Sequence, residues 1–320
     1  MTYSVGSQIQ AGDYNYYAYL ANLVWSDGGD VWGWGQSGAL GNAYNPVSAA
    51  QWSTLASRVS TIRAHQTGSG VSFTNTTGGG ASNLTSGGRI YQLANLPNEM
   101  GNITNHNLIA SSNPNTGAPR CYATNVQSNT DTYCDIGSQS RGYASYQYSV
   151  MYFTWPNSDC LRYFFNAGGY LEFTWSMTNG GTAKTQSWSN LLSDLGTVRL
   201  GLGFSAFTGY SGSFGLANTA FNSRNLSGGW ARWFYKFNDT GVADYNNNYV
   251  DTYIYRSGST IGVLCYYFDN ASDELTWPAP FWRLEDYINY PAVIRGTVVQ
   301  PNTGYINNTW GSVSVSGIST

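Results

Sequence analysis

The chain reads as a mainly β protein (α+β), with an N-terminal pair of short helices followed by a β-sandwich or jelly-roll-like domain that carries one short helix. Two observations predict this. From residue 141 onward, short runs rich in Tyr, Phe, Val and Ile alternate with Gly, Asn and Ser turns, the spacing of a sandwich. Helical periodicity is concentrated at the start and in one later segment. A chain of 320 residues hides about three quarters of its unfolded surface, so a core of this size needs neither disulfides nor metals.

Residues 1–66 form a helical docking or oligomerisation segment with a weak internal repeat. Ile9-Gln-Ala-Gly-Asp-Tyr14-Asn lines up with Val47-Ser-Ala-Ala-Gln-Trp52-Ser. In the first copy Tyr14, Tyr17, Ala18, Ala21 and Val24 fall on one helix face; in the second, Trp52, Leu55, Ala56, Val59 and Ile62 do. Ser7 or Asp13 suits the first N-cap and Ser48 the second. Between the helices lies an aromatic loop, Trp32-Gly-Trp34-Gly-Gln36. Residues 67–140 read as a Gly/Ser/Asn-rich linker and loop region, with a short helical candidate at Tyr91–Asn95.

Residues 141–320 read as the β-sandwich domain. Strand candidates are Tyr143–Trp155, Tyr170–Met177, Thr197–Leu202, Gly229–Phe237, Tyr249–Arg256, Thr260–Phe268 and Val293–Val299. Asn179-Gly180-Gly181 and Arg256-Ser-Gly-Ser259 are hairpin signals. Ser187 is placed as the cap of a short helix with Trp188, Leu191, Leu192 and Leu195 on one face, stopped by Gly196. Phe164, Phe165, Phe173, Trp175, Trp188, Leu192 and Leu195 are assigned to one core.

Composition points to assembly. Only 10% of residues are charged, aromatics reach 16%, and Lys184 and Lys236 are the only lysines. Lys and Glu resist desolvation and are depleted at protein contacts, whereas Tyr and Trp bury large areas at low entropy cost. The interface candidates are Tyr14, Tyr17, Trp25, Trp34, Trp52, Leu55 and His65. With a net charge of −3 and no basic stripe, nucleic acid is not an expected partner. No apolar run of about 18 residues predicts a membrane span, and the opening MTYSVGSQIQ lacks the charged and apolar regions of a secretory signal. Cys121, Cys134, Cys160 and Cys265 have no zinc-like spacing, and their bridging is left open.

Two blocks resemble virion structural proteins of tailed bacteriophages, especially the T4-like phages of marine cyanobacteria. The first is the helix pair with Gly35-Gln36 and the following His65-Gln66-Thr67-Gly68. The second is Arg162-Tyr-Phe-Phe-Asn166-Ala-Gly168-Gly169, its alternating strand, and Trp188-x-x-Leu-Leu192 running to Leu195-Gly196-Thr197-Val198. The resemblance covers about a third of the chain and implies a tail, neck or fibre-associated part of the particle. It also implies location in the virion, contacts with other virion proteins, and self-association as a trimer or ring. It implies no catalytic residue, cofactor or metal.

The sequence offers little chemistry. Asp269, Asp273 and Glu274 lack EF-hand spacing, Asp27 and Asp30 flank a Gly-Gly pair, and Glu172 and Glu285 are the nameable glycosidase carboxylates, with nothing to pair them. His65 reads as a buried or interface hydrogen-bonding group, and His106 has no evident partner. The rival to assembly is a receptor-binding, lectin-like module that stacks a host surface glycan on Trp32, Trp277 and Trp282, with Trp34 and Tyr210 as further exposed candidates.

Overall fold

The computed structural model describes residues 11–27, 32–44, 47–71, 98–100, 126–138, 146–178, 183–238, 247–269 and 292–319. The Ser7 cap, the helix at Tyr91–Asn95 and the turn at Asn179-Gly180-Gly181 lie outside them. Two compact units are present: residues 1–129, 159–169 and 300–311 form one, and residues 130–158, 170–299 and 312–320 the other. Each gathers segments distant in sequence, so compactness does not follow chain order.

In the first unit, α1 (Ala11–Trp25) and α2 (Ala49–Thr67) are the predicted helix pair. Both predicted faces are buried, and the Tyr14 and Trp52 rings meet edge to face with centroids 5.3 Å apart. Ser48 caps α2 through a reciprocal box. Its Oγ accepts from the Gln51 amide, and Gln51 Oε1 accepts from the Ser48 amide. Gly68, at φ 83°, ends the helix in the left-handed region that glycine enters without a Cβ penalty. The first helix begins at Ala11, so Asp13 sits in its first turn and not at the cap. A helix that the sequence does not announce, α3 (Ser158–Asn166), belongs to this unit but for its first residue.

The second unit holds, but for residues 126–129 and 300–301, two antiparallel sheets packed together. One runs β1 (Val126–Ser138), β10 (Ala292–Pro301), β3 (Tyr170–Met177), β4 (Thr197–Leu200), β5 (Ser205–Thr208). The other runs β11 (Ser314–Ser319), β2 (Tyr146–Thr154), β9 (Thr260–Phe268), β8 (Tyr249–Ser257), β7 (Ala231–Phe237), β6 (Leu216–Ala217). Inward rings interlock across the sandwich at near-right angles: Phe153 on Phe173, Phe173 on Trp233, and Trp175 on Phe234, each with centroids between 5.5 and 5.6 Å apart. Each such contact adds about 1 kcal/mol to the burial of its rings. Gly296 lets β10 approach, since a Cβ there would meet the Phe153 ring at 2.6 Å.

Several expectations need revising. Residues 126–138, read as loop, form β1: its Asn, Ser, Asp and Gly residues lack the alternation that marks a strand. Ser187 is not a cap. Helix α4 (Ala183–Asp194) starts earlier, and the Ser187 hydroxyl is buried within it, hydrogen-bonded by Asn238. The seven-residue core divides, with Phe164 and Phe165 in the first unit and the other five in the second.

Gly196 ends α4 at φ 63°, where a Cβ would stand 2.4 Å from the Thr208 carbonyl oxygen. Gly196→Ala is therefore expected to lose about 2 kcal/mol or more. The check is a lowered urea midpoint at unchanged slope. An unmoved midpoint would mean the turn relaxes freely.

Candidate interaction surface

The motifs singled out in the N-terminal region converge in the first unit. Trp34 is fully buried, its Nε1 donates to the Asn166 carbonyl at 2.9 Å, and its ring meets His65 with centroids 4.7 Å apart. The Asn166 amide answers by donating to the Gly33 carbonyl. His65 Nε2 lies 2.8 Å from the Ala167 carbonyl; a carbonyl only accepts, so this nitrogen carries the proton. The Gln36 side chain grips the Asn307 peptide from both sides, donating to its carbonyl and accepting from its amide. Arg162 ties α3 to the chain after α1: Nη1 donates to the Asp27 and Trp32 carbonyls, and Nη2 reaches the Asp27 and Asp159 carboxylates.

This knot corrects the interface assignment. Tyr14, Tyr17, Trp34, Trp52, Leu55 and His65 are buried within a single chain. The seventh, Trp25, is partly covered, with Nε1 bonded to Ser37 and the Arg58 guanidinium over its ring. Large apolar faces were found correctly, but the chain covers them itself. What α1 leaves open is the opposite stripe, with Tyr16 and Tyr19 exposed and Leu20 and Leu23 partly so.

A larger surface lies in the second unit, on the outer face of the six-stranded sheet. Register fixes which side chains share it. Tyr249 pairs with Phe268, Asp251 with Tyr266, Tyr253 with Leu264, and Tyr255 with Gly262. Across β2, Tyr148 pairs with Tyr266, Val150 with Leu264, and Tyr152 with Gly262. On the other side β7 brings Arg232, Tyr235 and Phe237. The rings touch in a continuous net: Tyr249 stacks on Phe268 at 4.5 Å, Tyr266 meets Tyr148 at 6.0 Å and Tyr253 at 5.9 Å, and Phe237 meets Tyr249 at 5.4 Å. Trp230 lies 4.4 Å from Tyr255, whose ring lies over Gly262; a Cβ at Gly262 would meet it at 2.0 Å. Alternate residues of a strand face opposite ways, so Val250, Thr252, Ile254, Ile261, Val263 and Cys265 are buried in the sandwich while these rings remain partly or fully exposed.

The outward strand positions of this face carry one ion pair as their only formal charge. Asp251 Oδ2 accepts from Arg232 Nη2 at 2.6 Å and from the Tyr253 hydroxyl at 3.0 Å. Burial among the rings raises the Asp251 carboxyl above its usual range, against these two hydrogen bonds. The outer face of the other sheet is different. Glu172, Thr174, Ser176, Thr197, Arg199, Arg295 and Thr297 line it beside Tyr170, Val293 and Val299, with Glu172 and Arg199 paired at 2.7 Å. One layer of the sandwich thus faces outward mainly with polar groups, the other mainly with aromatic rings.

The residues weighed for chemistry do not converge. Glu172 is held by Arg199, and Asp27 accepts from Tyr163 and Arg162, which together lower its carboxyl below the usual range. No group of three or more His, Cys, Asp or Glu side chains suited to a metal occurs among the described residues. Trp32 is partly exposed and Tyr210 exposed; Trp277, Trp282, His106, Asp273, Glu274, Glu285, Asp30 and Cys121 lie outside the described residues. No helix among the described residues is long and apolar enough to cross a membrane. No family model, curated protein or solved structure matches the chain. The signal for the aromatic face was present in the sequence: Tyr249, Tyr253, Tyr255, Tyr266 and Phe268 repeat at strand period, on the side left over once the inward residues are assigned.

Proposed function

We propose that this protein is a non-enzymatic structural component of a tailed-phage particle, in the tail, neck or fibre-attachment apparatus, which assembles through aromatic-rich contacts with sister chains and other virion proteins. The observation that carries this reading is the aromatic outer face of the six-stranded sheet. A face with so many rings and one ion pair has the composition of a contact core, where Tyr and Trp are enriched and Lys and Glu depleted. The resemblance of the Trp34-Gly-Gln36, His65-Gln-Thr-Gly68 and Arg162–Gly169 blocks to phage particle proteins supplies the setting. Those blocks meet in the first unit as architecture, consistent with a scaffold that presents surfaces.

The rival glycan-binding reading has less support on this face. Sugars stack on open ring faces, whereas neighbouring rings here meet at interplanar angles of 54° to 88° in most pairs, tilted or face to edge. Immunogold labelling of particles with antibody against the chain tests the structural reading. Gold fixed at one place on the particle is the expected result. Chain found only in the soluble fraction of the lysate would overturn it.

A further inference from the structure

We infer that a second copy of this chain seats on the aromatic face, sheet against sheet, across a two-fold axis that runs along the strands at the β8–β9 seam. The inference rests on the assembly reading and names its partner. Three observations select that occupant.

The first is extent. The strands β2, β9 and β8 have nine residues each and β7 has seven. At about 4.8 Å between strands and about 3.4 Å per residue, four such strands present about 600 Å² in plan. Corrugation by the rings, Leu216 on β6 and the outward positions of β11 bring this close to the ~800 Å² per partner of a standard stable interface.

The second is charge. An isologous contact places one surface against itself, so a face with several like charges would repel its own copy. This face carries Arg232 already neutralised by Asp251, and its other outward strand positions are uncharged. Charge also chooses the axis. A two-fold lying across the strands along the central Tyr253–Leu264 row would set Arg232 against Arg232. One running along the β8–β9 seam exchanges β7 with β2. Because Arg232, Tyr253, Leu264 and Val150 stand in one row, that operation brings the guanidinium of one copy over Val150 of the other, between the rings of Tyr148 and Tyr152. An Arg over tyrosine rings is an attractive contact that strengthens as water leaves; the same side chain already lies over Tyr235 and Tyr253 within its own chain, 5.3 and 5.6 Å from the ring centroids.

The third is relief. Tyr255 and Trp230 lie over Gly262, so the face is filled at its one side-chain gap. Aligned sheets pack about 10 Å apart with their side chains interdigitating, and a net of ring edges and hydroxyls suits such a neighbour.

Sedimentation velocity on the purified full chain between about 1 and 100 µM, a span that brackets micromolar self-association, reads the pairing directly. A concentration-dependent dimer is expected. Leu264→Lys sets an unpaired charge at the centre of the contact and is expected to weaken it by about a hundredfold or more. Thr174→Lys, on the polar outer face of the other sheet, should leave it unchanged. Two substitutions at one position read the register. Tyr148→Lys would meet the partner's Arg232 and repel it, while Tyr148→Glu would attract it, so the lysine variant should dimerise at least about tenfold more weakly than the glutamate variant. Circular dichroism confirms that each variant is folded. A wild-type chain that stays monomeric throughout the range overturns the inference, as does a dimer indifferent to Leu264→Lys or one weakened equally by both Tyr148 variants. A monomer that binds a glycan array saturably also overturns it, in favour of a sugar occupant. Particle labelling keeps the two proposals apart: monomeric chain that is nevertheless fixed in particles sinks the pairing alone, and a dimer absent from particles sinks the particle reading alone.

Discussion

Trp34→Ala is expected to unfold the first unit while the second remains folded. The indole is fully buried, so its removal leaves a cavity on the scale that costs about 3 to 5 kcal/mol. The Nε1 donor to Asn166 goes with it, leaving a buried carbonyl without that partner, a further cost of about 1 kcal/mol or more. The ring is also one wall of the His65 site. A unit whose whole stability is of the order of 5 to 15 kcal/mol has little margin for such a loss. Native-state hydrogen exchange is the suitable measurement, because two units need not unfold together and a single transition would mislead. Amide protection in α1 and α2 should fall by orders of magnitude in the alanine variant, while protection in β8 and β9 should hold. Trp34→Phe keeps most of the apolar volume and loses only the donor, so its loss should be smaller. Equal protection in wild type and Trp34→Ala would show that the knot is incidental to stability.

The same residue shows why the sequence yielded the fold more readily than the surface. Periodicity reports which side chains leave water, and on that question the reading was close. The faces of α1 and α2, the alternation of Tyr170–Met177 and the Arg256–Ser259 hairpin all stand in the structure. Periodicity does not report what covers an apolar face. Tyr14, Trp34, Trp52 and Leu55 looked like contact residues because two short helices alone cannot bury them; in the structure Tyr14 and Trp52 cover each other, and Trp34 is held by Asn166 of α3, gathered into the same unit from far along the chain. Elements too short or too polar to show a period were missed, among them β5, β6, β11 and β1. The aromatic face was legible only by subtraction. Strands whose two sides are both apolar read as continuous hydrophobic runs, and the register that separates inner from outer rings comes from pairing, which lies outside any one strand.

His65 makes the second large expectation, an acid-labile first unit. Its imidazole is wholly buried at the end of α2, and desolvation pushes its pKa down to about 4, only partly opposed by the hydrogen bond to the Ala167 carbonyl. In the unfolded chain a histidine titrates near 6.5. The folded form therefore holds the neutral ring, and the unfolded form takes up a proton first as pH falls. Stability from this residue is fully present above about pH 6.5, declines between about 6.5 and 4, and falls no further once both states are protonated. Over that window the loss is about 3 kcal/mol, from about 1.4 kcal/mol per unit of pKa. Melting followed at pH 7.5, 6, 5 and 4 should show the first unit losing stability most steeply between pH 6 and 5. His65→Gln keeps a side-chain N–H for the Ala167 carbonyl and has no titrating group, so the variant should start less stable at pH 7.5, through imperfect packing against Trp34, yet lose less on acidification. Wild-type and variant curves that fall in parallel would place the acid sensitivity elsewhere in the chain, and His65 would then be a packing residue alone.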